Sequence, residues 1–374
     1  MNNDIKKLIN ETKNKFLNMK HLQTEESVNQ YKNVLAKKKK EIEKSIRLSQ
    51  VNLANNSKDF KEFFKYFSNI SKSKTKIGPL TKDGILAESD LEKAEILNSH
   101  FSSVFIEENL NHIPQYDLPP TKYISYPFKD FIISEEEAEY HINHLTDNKS
   151  PDPDEIHPII LKSAPQSFSH ALTILYNRSL TFGEVPVDWK LAHITPVFKK
   201  GKQTDPSNYR PISLTSIVCK ILEKIIREKM FHHLVTNKLI SDSQHGFIKG
   251  KSCLTNLIEF FENIINWNDE NNPIDCIYLD ISRAFDTVAH RKLIMKLKKY
   301  GFGEKLITWI KNWLLNRKQR VILNGEKSNW RNVLSGTPQG TVLSTVLFLV
   351  YIDDADEVLK HLKVIISKFA DDMK

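Results

Sequence analysis

Apolar residues recur at helical spacing through the first part of the chain. Ile5, Leu8, Ile9 and Leu17, then Val28, Tyr31, Val34 and Leu35, then Phe60, Phe63, Phe64 and Phe67 fall three and four apart, which predicts helices. Residues 1–75 are also rich in lysine, with Lys37 to Lys40 as an unbroken run; on a helix such a run reads first as a solvated face. Ser71 to Gly84 is polar and carries the turn signals Gly78-Pro79 and Asp83-Gly84, so a linker or short hairpin is expected there. Ser89-Asp90-Leu91-Glu92 and Ser134-Glu135-Glu136-Glu137 have the form of capping boxes, each opening a helix. The Pro-bearing stretch between them reads as a surface connection, and Asn148 to Pro158 as a loop.

Further along, a helix is predicted from Val218 to His232, another after Asp280 to about Lys299, and another from Glu304 to Leu315. Gln319 to Leu323 reads as a strand closing on Asn324-Gly325, a hairpin signal. Leu343, Val346, Leu347, Val350 and Tyr351 again keep the helical period. Two apolar runs, Cys276 to Ile281 and Val364 to Ala370, read as strands. The whole is an α/β (α+β) pattern with an antiparallel sheet late in the chain. It divides into a helical segment (1–75), an extension (76–180), a mixed region (181–275) and a final strand-bearing region (276–374).

Composition narrows the partners. The 374 residues hold 54 Lys and Arg against 46 Asp and Glu, a net charge of +8 with a pI near 9.0; that balance favours a polyanion. Cys219, Cys253 and Cys276 are odd in number, widely spaced and without a metal-ligand pattern, as in reduced intracellular proteins. The N-terminus lacks an apolar signal core, and no run reaches the roughly 18 apolar residues of a membrane span. The expectation is a soluble intracellular protein of nucleus or cytoplasm, with no membrane partner.

The chemistry lies in the acids on the two apolar runs. Asp280 closes the first, and Asp371-Asp372 follow the second. A carboxylate on an apolar strand is costly unless something positive satisfies it. Two such strands side by side would gather three carboxylates, a natural seat for a pair of Mg2+ ions suited to in-line phosphoryl transfer. Spacing alone fits a polymerase or a nuclease.

The words around the acids are more specific. Asp280-Ile281-Ser282-Arg283-Ala284-Phe285-Asp286, Ser335-Gly336-Thr337-Pro338-Gln339-Gly340 and Phe369-Ala370-Asp371-Asp372 appear in order. They are preceded by Pro196-Val197-Phe198-Lys199-Lys200-Gly201, Asn208-Tyr209-Arg210-Pro211-Ile212-Ser213-Leu214 and Gln244-His245-Gly246-Phe247. Together, from about Lys58 to the last residue, the chain resembles the non-LTR (LINE, jockey-like) retrotransposon reverse transcriptases. The resemblance implies reverse transcriptase fingers (181–275) and palm (276–374) and RNA-directed DNA polymerase activity on an RNA template, a DNA primer and deoxynucleoside triphosphates. It implies two Mg2+ ions, with Mn2+ a possible substitute, held by Asp280, the Ile281 carbonyl, Asp371 and Asp372. By the same resemblance Lys199 or Lys200, with Arg210, clamps the triphosphate. Phe285 walls off the sugar 2′ position, Gln339 packs by the incoming nucleotide, and Gly340 admits close backbone approach. Gln244, Gly246, Phe247, Lys249 and Lys251 follow the template.

Tyr351-Ile352-Asp353-Asp354 offers a rival acidic pair. Asp353 lies 14 residues after Gln339, too few for a helix and a returning strand, whereas Asp371 lies 32 after it. Asp353 and Asp354 are therefore read as a polar helix end. The resemblance further implies that the thumb is absent, that the helical segment 1–75 stands where the family joins an upstream endonuclease to the polymerase, with no endonuclease among these residues, and that the palm is incomplete, the strand bearing Asp371 and Asp372 lacking a neighbour on one side. Asp152 and Glu155 stand where the family has glycine, and Ser344-Thr345 where it has Gly-Pro. The alternative is thus a catalytically inactive nucleic-acid-binding remnant, which would bind primer-template weakly and without elongating it. A group II intron maturase is disfavoured by the retrotransposon-like words before residue 250. Oligomeric state is not specified by any of these features.

Overall fold

A computed structural model describes residues 3–22, 24–55, 77–82, 85–108, 123–146, 153–356 and 364–374. The chain forms two compact units, Met1–Lys76 and Ile77–Lys374. In the first, helices Asn3–Leu22 and Glu25–Asn55 pack together, with the Phe16 and Tyr31 rings 5.5 Å apart. Thr24 starts the second helix by accepting the Ser27 N–H at 3.3 Å, and Glu25 and Glu26 complement the helix dipole. The predicted Phe60 to Phe67 pattern lies outside the described residues.

In the second unit β1 (Leu80–Lys82) pairs antiparallel with β2 (Ile85–Ala87), the short hairpin that the polar segment allows. Both capping boxes form: Ser89 and Ser134 each accept the N–H three residues on, and Glu92 and Glu137 reach back. The first of these helices, Asp90–Ser103, lays Ala94, Leu97 and Phe101 against a five-stranded sheet, where they meet Ile194, Tyr209, Val321 and Leu323.

That sheet has the order β4 (Tyr209–Thr215), β3 (Leu191–Phe198), β6 (Lys318–Leu323), β7 (Glu326–Lys327), with β8 (Arg331–Asn332) also on β6. β3 and β4 run antiparallel in the register Phe198↔Tyr209, while β3 and β6 run parallel. β6 turns into β7 through Asn324-Gly325, both with positive φ, as the dipeptide predicts.

The larger core is helical. Ile217–Thr236, Glu304–Leu314 and Leu343–Ile352 bury Ile221, Ile225, Trp309, Trp313, Leu347 and Phe348 together. Removing each of these side chains from water contributes about 1.5–3 kcal/mol, so this core is the rigid support beneath the site.

The late sheet has three strands in the order β5 (Leu279–Asp280), β10 (Asp372–Met373), β9 (Lys368–Phe369), all antiparallel. This sheet departs from the expected pattern in three ways. The Cys276–Ile281 run is strand only at Leu279 and Asp280, and Ile277 and Tyr278 are 68 % and 65 % exposed; its apolar side chains stay largely uncovered, although the Tyr278 ring meets Phe260 at 6.1 Å. Val364 to Ser367 is irregular, so the second run is strand only at its end. The residue Asp372 itself begins the returning strand, with β9 on one side and β5 on the other, so that strand is flanked on both sides.

Candidate active site

The register of the late sheet fixes the acids. Asp280 lies opposite Asp372 across the β5–β10 ladder, and Ala370-Asp371 form the turn joining β9 to β10. Asp280, Ile281 and Asp371 line one open cleft; Asp372 is exposed beside it and is not part of the lining. Burial pushes the Asp371 carboxyl up from its ordinary range, and the carboxylates of Asp372 and Asp280 push it the same way, while the Arg210 guanidinium draws it down. A carboxylate raised by neighbouring carboxylates gains its charged form when a cation sits beside it.

Among the described residues no group of three or more acidic, His or Cys side chains is placed to hold a metal ion, so the expected seat of three carboxylates is not assembled. An open donor pair nevertheless fits a hard divalent ion, which keeps several waters and needs only one or two carboxylates beside substrate oxygens.

The wall beside Asp280 is a turn rather than the predicted immediate helix. Arg283 takes φ 55 and its carbonyl accepts the N–H of Asp286 and Thr287, so the helix starts only at His290. The Ser335–Gly340 loop is fastened to this turn. Gly336 N–H donates to Val288 O at 2.8 Å, Thr337 N–H to Phe285 O at 2.8 Å, and Ser335 Oγ to Asp286 O at 2.7 Å. Gly336 has φ 84, and a Cβ there would lie 2.7 Å from the Phe285 and Asp286 carbonyl oxygens; only glycine fits.

Gln339 is held by its amide, which donates to both carboxylate oxygens of Asp286 at 3.0 and 2.9 Å. Burial pushes Asp286 up to about 6, against the pull of Gln339. Phe285 stacks on Phe348 with ring centres 4.3 Å apart and meets Phe247 edge-on at 6.1 Å. Phe247, Phe285, Gln339 and Gly340 all line the cleft.

Another side of the cleft comes from the β3–β4 hairpin. Lys199 and Arg210 project from its end into the lining, whereas Lys200 is exposed and outside it. Sequence reasoning missed two further cleft residues, His100 and Arg283. Arg283 donates to His100 Nε2 at 3.2 Å, and burial together with Arg283 holds the imidazole below its ordinary value, so it accepts as a neutral ring. The Asp280–Asp286 word contained Arg283, but nothing local could couple it to a residue 183 positions earlier.

The residues expected along the template are divided. Phe247 lines the cleft and Lys249 is exposed. Lys251 lies outside the lining and its ammonium donates to the Asp242 carbonyl. Gln244 is 1 % exposed and Gly246 is buried; both sit against Ala370, behind the acidic turn and away from the cleft.

The rival acids are structural in their contacts. Helix Leu343–Ile352 ends at Asp353, which is 2 % exposed, accepting Ser241 N–H at 2.7 Å and Tyr300 Oη–H at 2.6 Å. Asp354 pairs with Lys296. Neither lines the cleft.

Residues 197–374 match the family described as reverse transcriptase (RNA-dependent DNA polymerase). Curated relatives include the probable RNA-directed DNA polymerases from transposon X-element and transposon BS of Drosophila melanogaster. The first is 28% identical over 80% of this chain and 34% of its own length, the second 29% over 78% and 33%. The RNA-directed DNA polymerase from mobile element jockey of the same fly is 28% identical over 76% of this chain and 32% of its own. The chain thus spans about a third of the length of these relatives.

Proposed function

We infer that this chain, which carries a reverse transcriptase domain of the non-LTR retrotransposon kind, provides the fingers (181–275) and palm (276–374) of an RNA-directed DNA polymerase. The observation that carries the reading is the single cleft that joins Asp280 and Asp371 to Lys199, Arg210, Phe285 and Gln339. Acids, cations and an aromatic ring lining one cleft, with Arg210 near enough to Asp371 to draw its carboxyl down, suit a primer terminus meeting a nucleoside triphosphate.

In this reading the primer 3′-oxygen attacks the α-phosphorus in line, and pyrophosphate leaves. Two Mg2+ ions, replaceable by Mn2+, would be held by Asp280, the Ile281 carbonyl, Asp371 and Asp372, and would supply the lowered hydroxyl pKa and the neutralisation of triphosphate charge. Lys199 and Arg210 bind and orient the triphosphate oxygens, the guanidinium by paired donors. Phe285, fixed by its stack on Phe348, closes the space beside the sugar 2′ carbon. Gln339, locked by Asp286, presents a fixed surface to the nucleotide. Phe247 and Lys249 lie along the template, where backbone contact is sequence-blind.

Primer extension by the product of the complete reading frame tests this. A DNA primer on an RNA template should lengthen with deoxynucleotides and a divalent ion, and Asp280→Asn should stop it. A folded product that binds primer-template and never lengthens it, under either ion, would refute the polymerase reading and favour the inactive remnant.

A further inference from the structure

We propose that Gln244 is a positioning residue for the acidic turn, holding Asp371 in place from behind. Its catalytic consequence rests on the polymerase reading above, whereas its structural core does not. The segment around Gln244 pairs with β9: Lys368 N–H donates to Ser243 O at 2.7 Å and His245 N–H to Lys368 O at 2.8 Å. The Gln244 side chain continues this pairing one residue further. Its Oε1 accepts the N–H of Ala370 and of Gly246, each at 2.8 Å, and its Nε2 donates to Ala370 O at 3.3 Å.

Ala370 needs such a partner. It takes φ 58, the left-handed region, which costs an alanine about 1–2 kcal/mol. It is also 5 % exposed, so its peptide groups have little access to water. One glutamine amide satisfies both the donor and the acceptor of this residue and so fixes the peptide that immediately precedes Asp371. Gly246 completes the fit, because a Cβ there would collide with Ala370 N.

The other end of β9 is fastened to the same segment. Lys368, wholly buried, donates to Asp353 O at 2.8 Å and pairs with Asp356 at 3.0 Å. Asp356 in turn accepts Ser241 and Ser243 Oγ–H at 2.9 and 2.8 Å. β9 is therefore clamped before and after Phe369, and the turn cannot shift without breaking buried polar contacts. A carboxylate that must hold metal geometry to about 0.5 Å requires support of this kind. The burial of Gln244 and the engagement of both its amide oxygen and its amide nitrogen argue against a direct template contact.

Residue-resolved hydrogen exchange on the full chain, with no metal or nucleic acid, decides the structural claim. The Ala370 amide should be protected in the wild type. Gln244→Met, similar in length but without the amide, should speed exchange at Ala370 by about tenfold, the factor that loss of roughly one hydrogen bond implies, while the helix Ile217–Thr236 keeps its protection. Unchanged exchange at Ala370 in that variant, or an unprotected Ala370 in the wild type, would overturn the proposal. The wild-type result decides it even where the variant fails to fold.

In primer extension by the complete product, Gln244→Met should lower kcat by about 10–100-fold, as a displaced reacting group does, and raise the Mg2+ concentration for half-maximal rate, with template affinity unchanged. Weaker template binding at an unchanged Mg2+ requirement would mark a template contact and overturn it. A wild type that never extends counts against the polymerase reading, and the exchange result then stands alone.

Discussion

Phe285 has one face on Phe348 and an edge toward Phe247, so its ring is set by packing and not by a bound nucleotide. In the polymerase reading proposed above, a pre-set wall discriminates sterically. Phe285→Ala should let the polymerase accept ribonucleotides, lowering its preference for deoxynucleotides by about tenfold or more, since each 1.4 kcal/mol of lost clash is a factor of ten; single-nucleotide incorporation with paired deoxy and ribo substrates measures it, and an unchanged ratio contradicts the role. Asp286 makes a different prediction. Its carboxyl sits at about 6 in the fold against 3.8 ordinarily, because burial disfavours the charge. The native state therefore holds this proton more tightly than the unfolded chain. The resulting stabilisation is complete below about pH 4 and is lost as pH rises through about 6, a change of about 2–3 kcal/mol. Asp286→Asn removes that titration. In urea melts the stability of wild type minus variant should fall between pH 4 and pH 7; a difference that does not vary with pH would contradict the assignment.

At the scale of elements, two left-handed positions predict changes of opposite sign. Gly336→Ala would force a Cβ onto the Phe285 and Asp286 carbonyls and loosen the Ser335–Gly340 loop, costing about 1–3 kcal/mol. Glu155→Gly should instead stabilise, by up to about 1 kcal/mol, because Glu155 holds φ 57 where glycine is unstrained. Thermal melts of the two variants should move in opposite directions, and movement the same way would sink the account of both. Elements of this kind were legible in the sequence because their causes are local. The capping boxes at Ser89 and Ser134, the Asn324-Gly325 turn and the helix over Leu343–Ile352 each follow from neighbours a few residues away. The role of Gln244 was not legible. Its partner Ala370 is 126 residues distant, and nothing in Gln244-His245-Gly246-Phe247 says which of those residues face the cleft and which face the turn behind it. His100, brought to Arg283 by a helix outside the matched domain, was hidden for the same reason. The apolar run before Asp280 misled in another way: composition records a preference for cover, and only the packed chain shows whether cover is present.

For the molecule as a whole, the formal charge of +8 and the Lys199, Arg210 and Arg283 side chains in the cleft predict sequence-blind binding to primer-template that weakens steeply with salt, as counterion release requires. Filter binding from low to high salt should give a linear fall in log affinity, and a flat response would argue against phosphate contact as its source. No helix among the described residues is long and apolar enough to cross a membrane. The fold separates the two candidate sets of acids by depth: Asp353 is hydrogen-bonded in the core, while Asp280 and Asp371 share the cleft. The most direct test is single-turnover primer extension by the complete reading-frame product carrying Asp371→Asn or Asp353→Asn, each assayed below its own melting temperature. Asp371→Asn should lose about 10^2–10^3-fold or more in rate with no loss of melting temperature, and Asp353→Asn should melt several degrees lower, for a cost of about 1–3 kcal/mol, yet still extend the primer. Extension that survives Asp371→Asn but is abolished by Asp353→Asn in a folded protein would contradict the account.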